Sequence, residues 1–132
     1  MKKFVILIPI YNDWESLKKL LKEINLYTDK WEAKISIVIV NDSSTIKRPS
    51  LDSNFNNIQS IKIINMKENR GHARCYAAGL KYIIEKQDFD YVILMDGDGE
   101  DRPEELNLIF EKSKQYPSHV ITANRIKRSE SF

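Results

Sequence analysis

The sequence predicts an α/β protein: a three-layer sandwich with helices on both faces of a mostly parallel sheet. Two observations lead there. Five short apolar runs, Phe4 to Ile10, Ile35 to Val40, Ile61 to Met66, Val92 to Met95 and Val120 to Ala123, read as strands. Between most of them lie segments whose apolar residues recur at spacings of three and four, the signature of a helix with one buried face. Strands that alternate with helices pair in parallel through right-handed crossovers, which places helices on both sides of the sheet.

Taken in order, Phe4 to Ile10 forms a buried strand that ends around Pro9, Tyr11 and Asn12. A helix follows with Trp14, Leu17, Leu20, Leu21 and Ile24 on one face, Asn12 as its cap and Glu15 three residues on. Ile35 to Val40 is the second strand and runs into Asn41-Asp42-Ser43-Ser44. Thr45 to Ser60 is rich in polar residues and proline and reads as a surface connection, with a turn of helix around Leu51 to Phe55. The third strand leads through Asn69-Arg70-Gly71 into a helix with Ala73, Tyr76, Ala77, Leu80, Ile83 and Ile84 on its inner face. Ala73, Ala77 and Gly79 would bring it close to the sheet. After the fourth strand a helix starts at Asp101 or Arg102 with Pro103 in its first turn, turning Leu106, Ile109 and Phe110 inward. Trp14 and Trp31 are expected to pack, and His72 to start its helix.

At 132 residues the chain is expected to form a single domain. A hydrophobic share of 42% with 30% charged residues describes a soluble globular protein, and a net charge of +2 does not argue for nucleic acid. No run approaches the ~18 apolar residues of a membrane span, and no small-residue cleavage site follows the first strand, so a cytoplasmic location is expected. Cys75 is the only cysteine; it falls off the apolar face of its helix and is expected to be a free thiol.

Tyr91 to Leu106 is the most informative stretch, because Val92-Ile93-Leu94-Met95 runs straight into Asp96, Asp98, Glu100 and Asp101. So many like charges close together call for a cation among them, and hard oxygen donors suit Mg²⁺ or Mn²⁺. Gly97 and Gly99 let the backbone bend around an ion. An ordinary polar turn is the bland alternative. An EF-hand loop requires Gly at its sixth position and Glu at its twelfth, where this chain has Asp101 and Asn107. An aspartate-nucleophile phosphatase needs further Lys and Asp elements downstream. Ligands of parallel sheets bind beyond the carboxyl ends of the strands, and Tyr11-Asn12, Asn41-Asp42 and Asp96-Asp98 all fall there. Asp42 can accept hydrogen bonds from a base or a ribose, the acidic pair can hold a metal on a diphosphate, and Arg125 or Arg128 can face phosphate oxygens. Asn69 and Gly71, in the strand-to-helix turn, are expected near the nucleotide. The composite reads as a nucleoside diphosphate site.

PIYNDWESL, IVNDSS, NRGHARCYAAGL, DGDGEDRPEEL and ANRIKRSES, in this order and spacing, resemble the inverting family 2 glycosyltransferases of the GT-A fold, above all those that glycosylate polyprenyl or dolichyl phosphate. The resemblance implies a Rossmann-like sheet of order 3-2-1-4 plus a fifth strand, a UDP- or GDP-sugar donor, a divalent metal, and a hexose transferred with inversion to an acceptor such as a polyprenyl phosphate at the inner membrane surface. It implies that Pro9, Tyr11 and Asp42 lie against the nucleoside, with Asn12 beside them, and that Asp96 and Asp98 bind the metal and diphosphate. Glu100 stands where the lipid-phosphate branch usually has Gln, and Arg125 and Arg128 match a basic pair after the fifth strand.

Cys75-Tyr76-Ala77 replaces the Ala-Arg-Asn found in many members of that family. Members carry more chain after the arginine pair, including a strand inserted between the fourth and fifth strands. The chain is therefore expected to be a donor-binding part of a longer enzyme, a nucleotide-sugar-binding module without full catalysis, or a domain completed by a partner or a second copy. Its fifth strand is expected to keep a poorly paired edge. No residue here reads as the catalytic base.

Overall fold

The computed structural model describes residues 1–51, 54–97, 105–115 and 119–122. Five strands, β1 (Lys2–Ile10), β2 (Ala33–Asn41), β3 (Ile58–Asn65), β4 (Tyr91–Leu94) and β5 (His119–Thr122), form one sheet of order β3-β2-β1-β4-β5. All four pairings are parallel. Helix α1 (Trp14–Tyr27) links β1 to β2, α2 (His72–Lys86) links β3 to β4, and α3 (Leu106–Ser113) lies between β4 and β5. The expected order is present, and all three helices fall where periodicity placed them.

Side chains of β1 alternate between two cores, which is why the whole strand is apolar. Phe4, Ile6, Ile8 and Ile10 face α1 and α3, together with Ile35, Ile37, Ile39, Tyr91 and Ile93. Val5 and Leu7 face α2, with Val38, Val40 and Val92. The α1 face is the expected one: Trp14, Leu17, Leu20, Leu21 and Ile24 are all buried. Phe4 stacks on Tyr91 at 4.7 Å and Trp31 on Phe110 at 4.5 Å, so both tryptophans belong to the packing as anticipated. At the opposite edge from the strand carboxyl ends, Lys3 pairs with Asp88, and its backbone N–H donates to Asp90 Oδ2 at 2.8 Å.

Helix α2 is rotated from its expected setting. Its buried residues are Cys75, Gly79 and Ile83, whereas Ala73 and Ala77 are exposed and Ile84 is 67% exposed. The reason is close approach at Gly79, where a Cβ would stand 2.3 Å from Leu7 Cδ1 and 3.1 Å from Val40 Cγ2. The helix turns its glycine, not its alanines, onto β1 and β2. This puts Cys75 in the core, against the expectation that it lies off the apolar face.

Two other expectations change. Leu51 and Phe55 are not helical; they pack as irregular chain against the α1-side core. The start of the helix at Asp101 to Pro103 lies outside the described residues. Where family members are expected to insert a strand between the fourth and fifth, β4 and β5 of this chain pair directly from Tyr91↔His119 to Leu94↔Thr122. Moreover α1 and α3 share a face while their connections run in opposite directions across the sheet, so the last of the four crossovers, from β4 to β5, has the opposite hand to the others. Uniformly right-handed crossovers were expected.

Candidate functional site at the carboxyl edge of the sheet

The order of the strands reverses between β1 and β4, and the residues beyond this point form the candidate site. Odd residues of β1 turn their peptide groups toward β4, as the bond from Met95 N–H to Leu7 O (3.0 Å) shows. Pro9 therefore lacks its N–H on the β4 side. The β1–β4 ladder stops at Leu7↔Leu94, and the chain leaves the sheet at Asp96-Gly97. Gly97 lets that turn press on β1, since a Cβ there would lie 3.0 Å from Ile8 Cγ2 and 3.1 Å from Pro9 O.

Asn12 does not cap α1. Asp13 takes the N-cap position without a side-chain bond, and Asn12 adopts φ 65°, a left-handed conformation that asparagine tolerates. Its Oδ1 accepts from the backbone N–H groups of Thr45 (2.8 Å) and Ile46 (2.9 Å), its Nδ2 donates to Thr45 Oγ1 (3.0 Å), and its own N–H donates to Ser44 Oγ (2.9 Å). Trp14 Nε1 donates to Ile46 O at 3.0 Å. The loop after β2 is thus fastened to the loop after β1, with Tyr11 beside it and 38% exposed. Asn41 extends the fastening to β3: its Nδ2 donates to Asn65 Oδ1 at 3.0 Å.

Asp42 is 1% exposed, and both carboxylate oxygens are engaged by backbone. Arg70 N–H donates to Oδ1 at 2.8 Å and Gly71 N–H to Oδ2 at 2.9 Å, while Asn69 Nδ2 donates to Asp42 O at 3.3 Å. Gly71 has φ 89°, which a side chain would resist, and this turn sets the two N–H groups side by side. A carboxylate at this point also complements the positive end of α2. Asn69 and Gly71 accordingly enter the site as the peptide segment that Asp42 holds. Asp42→Asn is expected to destabilise the fold by about 1–3 kcal/mol, because the amide nitrogen would face one of two backbone donors and leave it unpaired. Urea unfolding checks this; an unchanged midpoint would refute the cap.

Cys75 sits on the first turn of α2 behind Asp42 and is fully buried. Burial first, and then the charge of and hydrogen bond to Asp42, push its thiol up to about 12 from an ordinary value of 9.0. The unfolded thiol ionises first, so the stability this proton confers is intact below about pH 9 and is lost as pH rises from 9 toward 12. Comparing wild type with Cys75→Ala is expected to show a steeper alkaline loss of stability in wild type, along with thiol alkylation at pH 8 limited by opening of the fold. Parallel alkaline profiles would refute it.

Asp96, the first carboxylate beyond β4, is tied to α2 as well. Tyr76 OH donates to Asp96 Oδ1 at 2.5 Å, and His72 Nδ1 lies 3.7 Å from the same oxygen. Sequence reasoning missed this pair: His72 was taken for a helix start and Tyr76 for a core residue. Their i, i+4 spacing directly after Asn69-Arg70-Gly71 is the signal that could have found them. Asp98, Glu100, Arg125 and Arg128 lie outside the described residues. Among the described residues no three His, Cys, Asp or Glu side chains gather to hold a metal ion. The donor chemistry nonetheless fits a hard divalent cation: Asp96 offers carboxylate oxygen at the strand end. Glu105, at the N-cap of α3 on the same edge, has a buried Oε2 without a hydrogen-bond partner. No helix among the described residues is long and apolar enough to cross a membrane.

A parallel α/β sheet whose polar residues converge at the reversal of strand order has the arrangement in which such sheets hold a ligand. The model of glycosyl transferase family 2 matches residues 5–132, and the chain belongs to that family. The chain is 24% identical over its whole length to an undecaprenyl-phosphate 4-deoxy-4-formamido-L-arabinose transferase of Aeromonas hydrophila, and 27% identical to one of Proteus mirabilis, covering 40% of each. It is 27% identical to an uncharacterized glycosyltransferase of Synechocystis, over 96% of this chain and 39% of that one. The chain thus spans about two fifths of the length of these relatives. The crystal structure of S. aureus TarS residues 1–349 superposes with a TM-score of 0.60 at 21% identity, over 88% of this chain and 33% of that one, and shares the GT-A fold.

Proposed function

We propose that the protein transfers a sugar from a UDP- or GDP-linked donor to an acceptor, with inversion, and that the acceptor is a polyprenyl phosphate. The observation that carries this reading is the first turn of α2, which joins Asp42 at the end of β2 to Asp96 at the end of β4. In this reading one short segment would link the residues assigned to the nucleoside with those assigned to the diphosphate. The lipid-linked acceptor rests on the two undecaprenyl-phosphate sugar transferases among the relatives.

In this reading Pro9, Tyr11 and the Asn69-Gly71 segment line the nucleoside, with Asn12 and Asp42 fixing their loops. Asp96, with Asp98 and Glu100, would hold Mg²⁺ or Mn²⁺, which supplies positive charge to stabilise the departing diphosphate. Arg125 and Arg128 would add charge to the phosphate oxygens. A polyprenyl phosphate brings an acceptor oxygen already ionised near neutral pH, so its attack on the sugar carbon with departure of the nucleoside diphosphate would need no base from these residues. Incubating the purified protein with UDP- or GDP-sugars, undecaprenyl phosphate and Mn²⁺ tests the reading. Formation of a lipid-linked sugar is expected; failure of both nucleotides to bind in calorimetry would overturn it.

A further inference from the structure

We propose that Tyr76 is a positioning residue whose hydroxyl sets the orientation of the Asp96 carboxylate for the metal-bound diphosphate. The proposal rests on the glycosyltransferase reading and adds to it a residue on a different element from the acidic run.

The argument begins with placement. Asp96 stands where the sheet has released the chain: β4 ends at Leu94, and Pro9 has stopped the ladder. Nothing in the regular structure of β4 therefore fixes the Asp96 side chain. Among the described residues, a hydrogen bond from α2 orients it. Tyr76 OH donates to Asp96 Oδ1 at 2.5 Å, a distance typical of a hydroxyl bonded to an ionised carboxylate. Tyr76 is itself held, because its ring packs with the core on the α2 face and its helix is pinned to the sheet at Gly79. The N-terminus of that helix is in turn fastened to Asp42 through the N–H groups of Arg70 and Gly71.

The chain of contacts thus runs from β2 through α2 to Asp96, and Tyr76 is the link that touches the carboxylate. His72, 3.7 Å from the same oxygen, is too far for a hydrogen bond and adds charge only when protonated. A carboxylate that must meet an ion within a fraction of an ångström gains from such support, and losing an outer partner of a ligand typically weakens metal affinity 10–100-fold.

The test is Mn²⁺-dependent binding of UDP and GDP by calorimetry in wild type, Tyr76→Phe and Tyr76→Met, with thermal unfolding alongside. Both variants lack the hydroxyl and keep apolar bulk on the core side, so either one serves if the other is unstable. The expected result is a Mn²⁺ requirement raised roughly ten-fold, with residual nucleotide binding in chelator unchanged and a melting temperature close to wild type. A purely structural role would lower the melting temperature and leave the Mn²⁺ requirement in place, which would overturn the proposal. So would a wild-type Mn²⁺ requirement in either folded variant. Wild-type protein that binds neither nucleotide would remove the glycosyltransferase reading and this role with it, whereas normal wild-type binding with unaffected variants removes this role alone.

Discussion

Asp96→Ala is expected to abolish the Mn²⁺-dependent part of nucleoside diphosphate binding, a loss of roughly 100-fold or more, since removing a ligand exceeds the 10–100-fold effect of removing its outer partner. The diphosphate and the carboxylates repel one another unless a cation lies between them, so the substitution and a chelator are expected to act alike and not additively. Asp96 is half-buried at the sheet edge and outside any strand, so truncating its side chain leaves both cores intact. Calorimetric titration of UDP and GDP with and without Mn²⁺ measures the effect. Equal affinity of variant and wild type in Mn²⁺ would show that the carboxylate beyond β4 holds no ion.

Phe4→Ala is expected to cost about 3–5 kcal/mol, the range for deleting a buried aromatic ring from a close-packed core. Phe4 meets three rings at once: Tyr91 stacked at 4.7 Å, Trp31 tilted at 5.2 Å and Phe110 tilted at 5.8 Å. These come from β4, the turn after α1, and α3, and none can move into the void without leaving its own partners. Tyr91 OH also donates to Ser113 O at 2.7 Å, which holds its ring in place. Against a total stability of about 5–15 kcal/mol for a domain of this kind, the variant would be marginal. Chemical unfolding that shows a loss below about 1 kcal/mol would mean that the aromatic cluster closes over the gap.

Strand runs and the α1 stripe were legible because they depend on periodicity alone. The five buried residues of α1 are those that spacing selects, and the parallel pairing follows from alternation of strands and helices, whereas the strand order was implied by the family resemblance. Helix α2 was misread by part of a turn because apolarity pointed to its alanines and Ile84. The contact that decides its rotation is the near-absence of a side chain at Gly79, which periodicity does not weigh. Asn12 was assigned a local capping role from its place before a helix, yet its partners are Thr45 and Ile46 on another loop. Asp42 and Asp96 were singled out from their positions at strand ends. That one turn of α2 engages both of them depends on tertiary geometry, and only the spacing of His72 and Tyr76 hints at it.

The innermost strand has a consequence for how the molecule is made. β1 pairs with β2 on one side and with β4 on the other, and Tyr91 of β4 lies opposite Phe4. A ribosome adding about 5–20 residues per second needs several seconds or more to travel from one to the other. During that interval one long apolar edge of β1 has no partner of its own. The two-strand unit of β1 and β2 can close early around α1, but the second edge waits for chain that has not yet left the ribosome. Nascent protein stalled between β3 and β4 would thus present a sticky margin to chaperones and to other nascent chains, and release of the β4 segment would end that exposure.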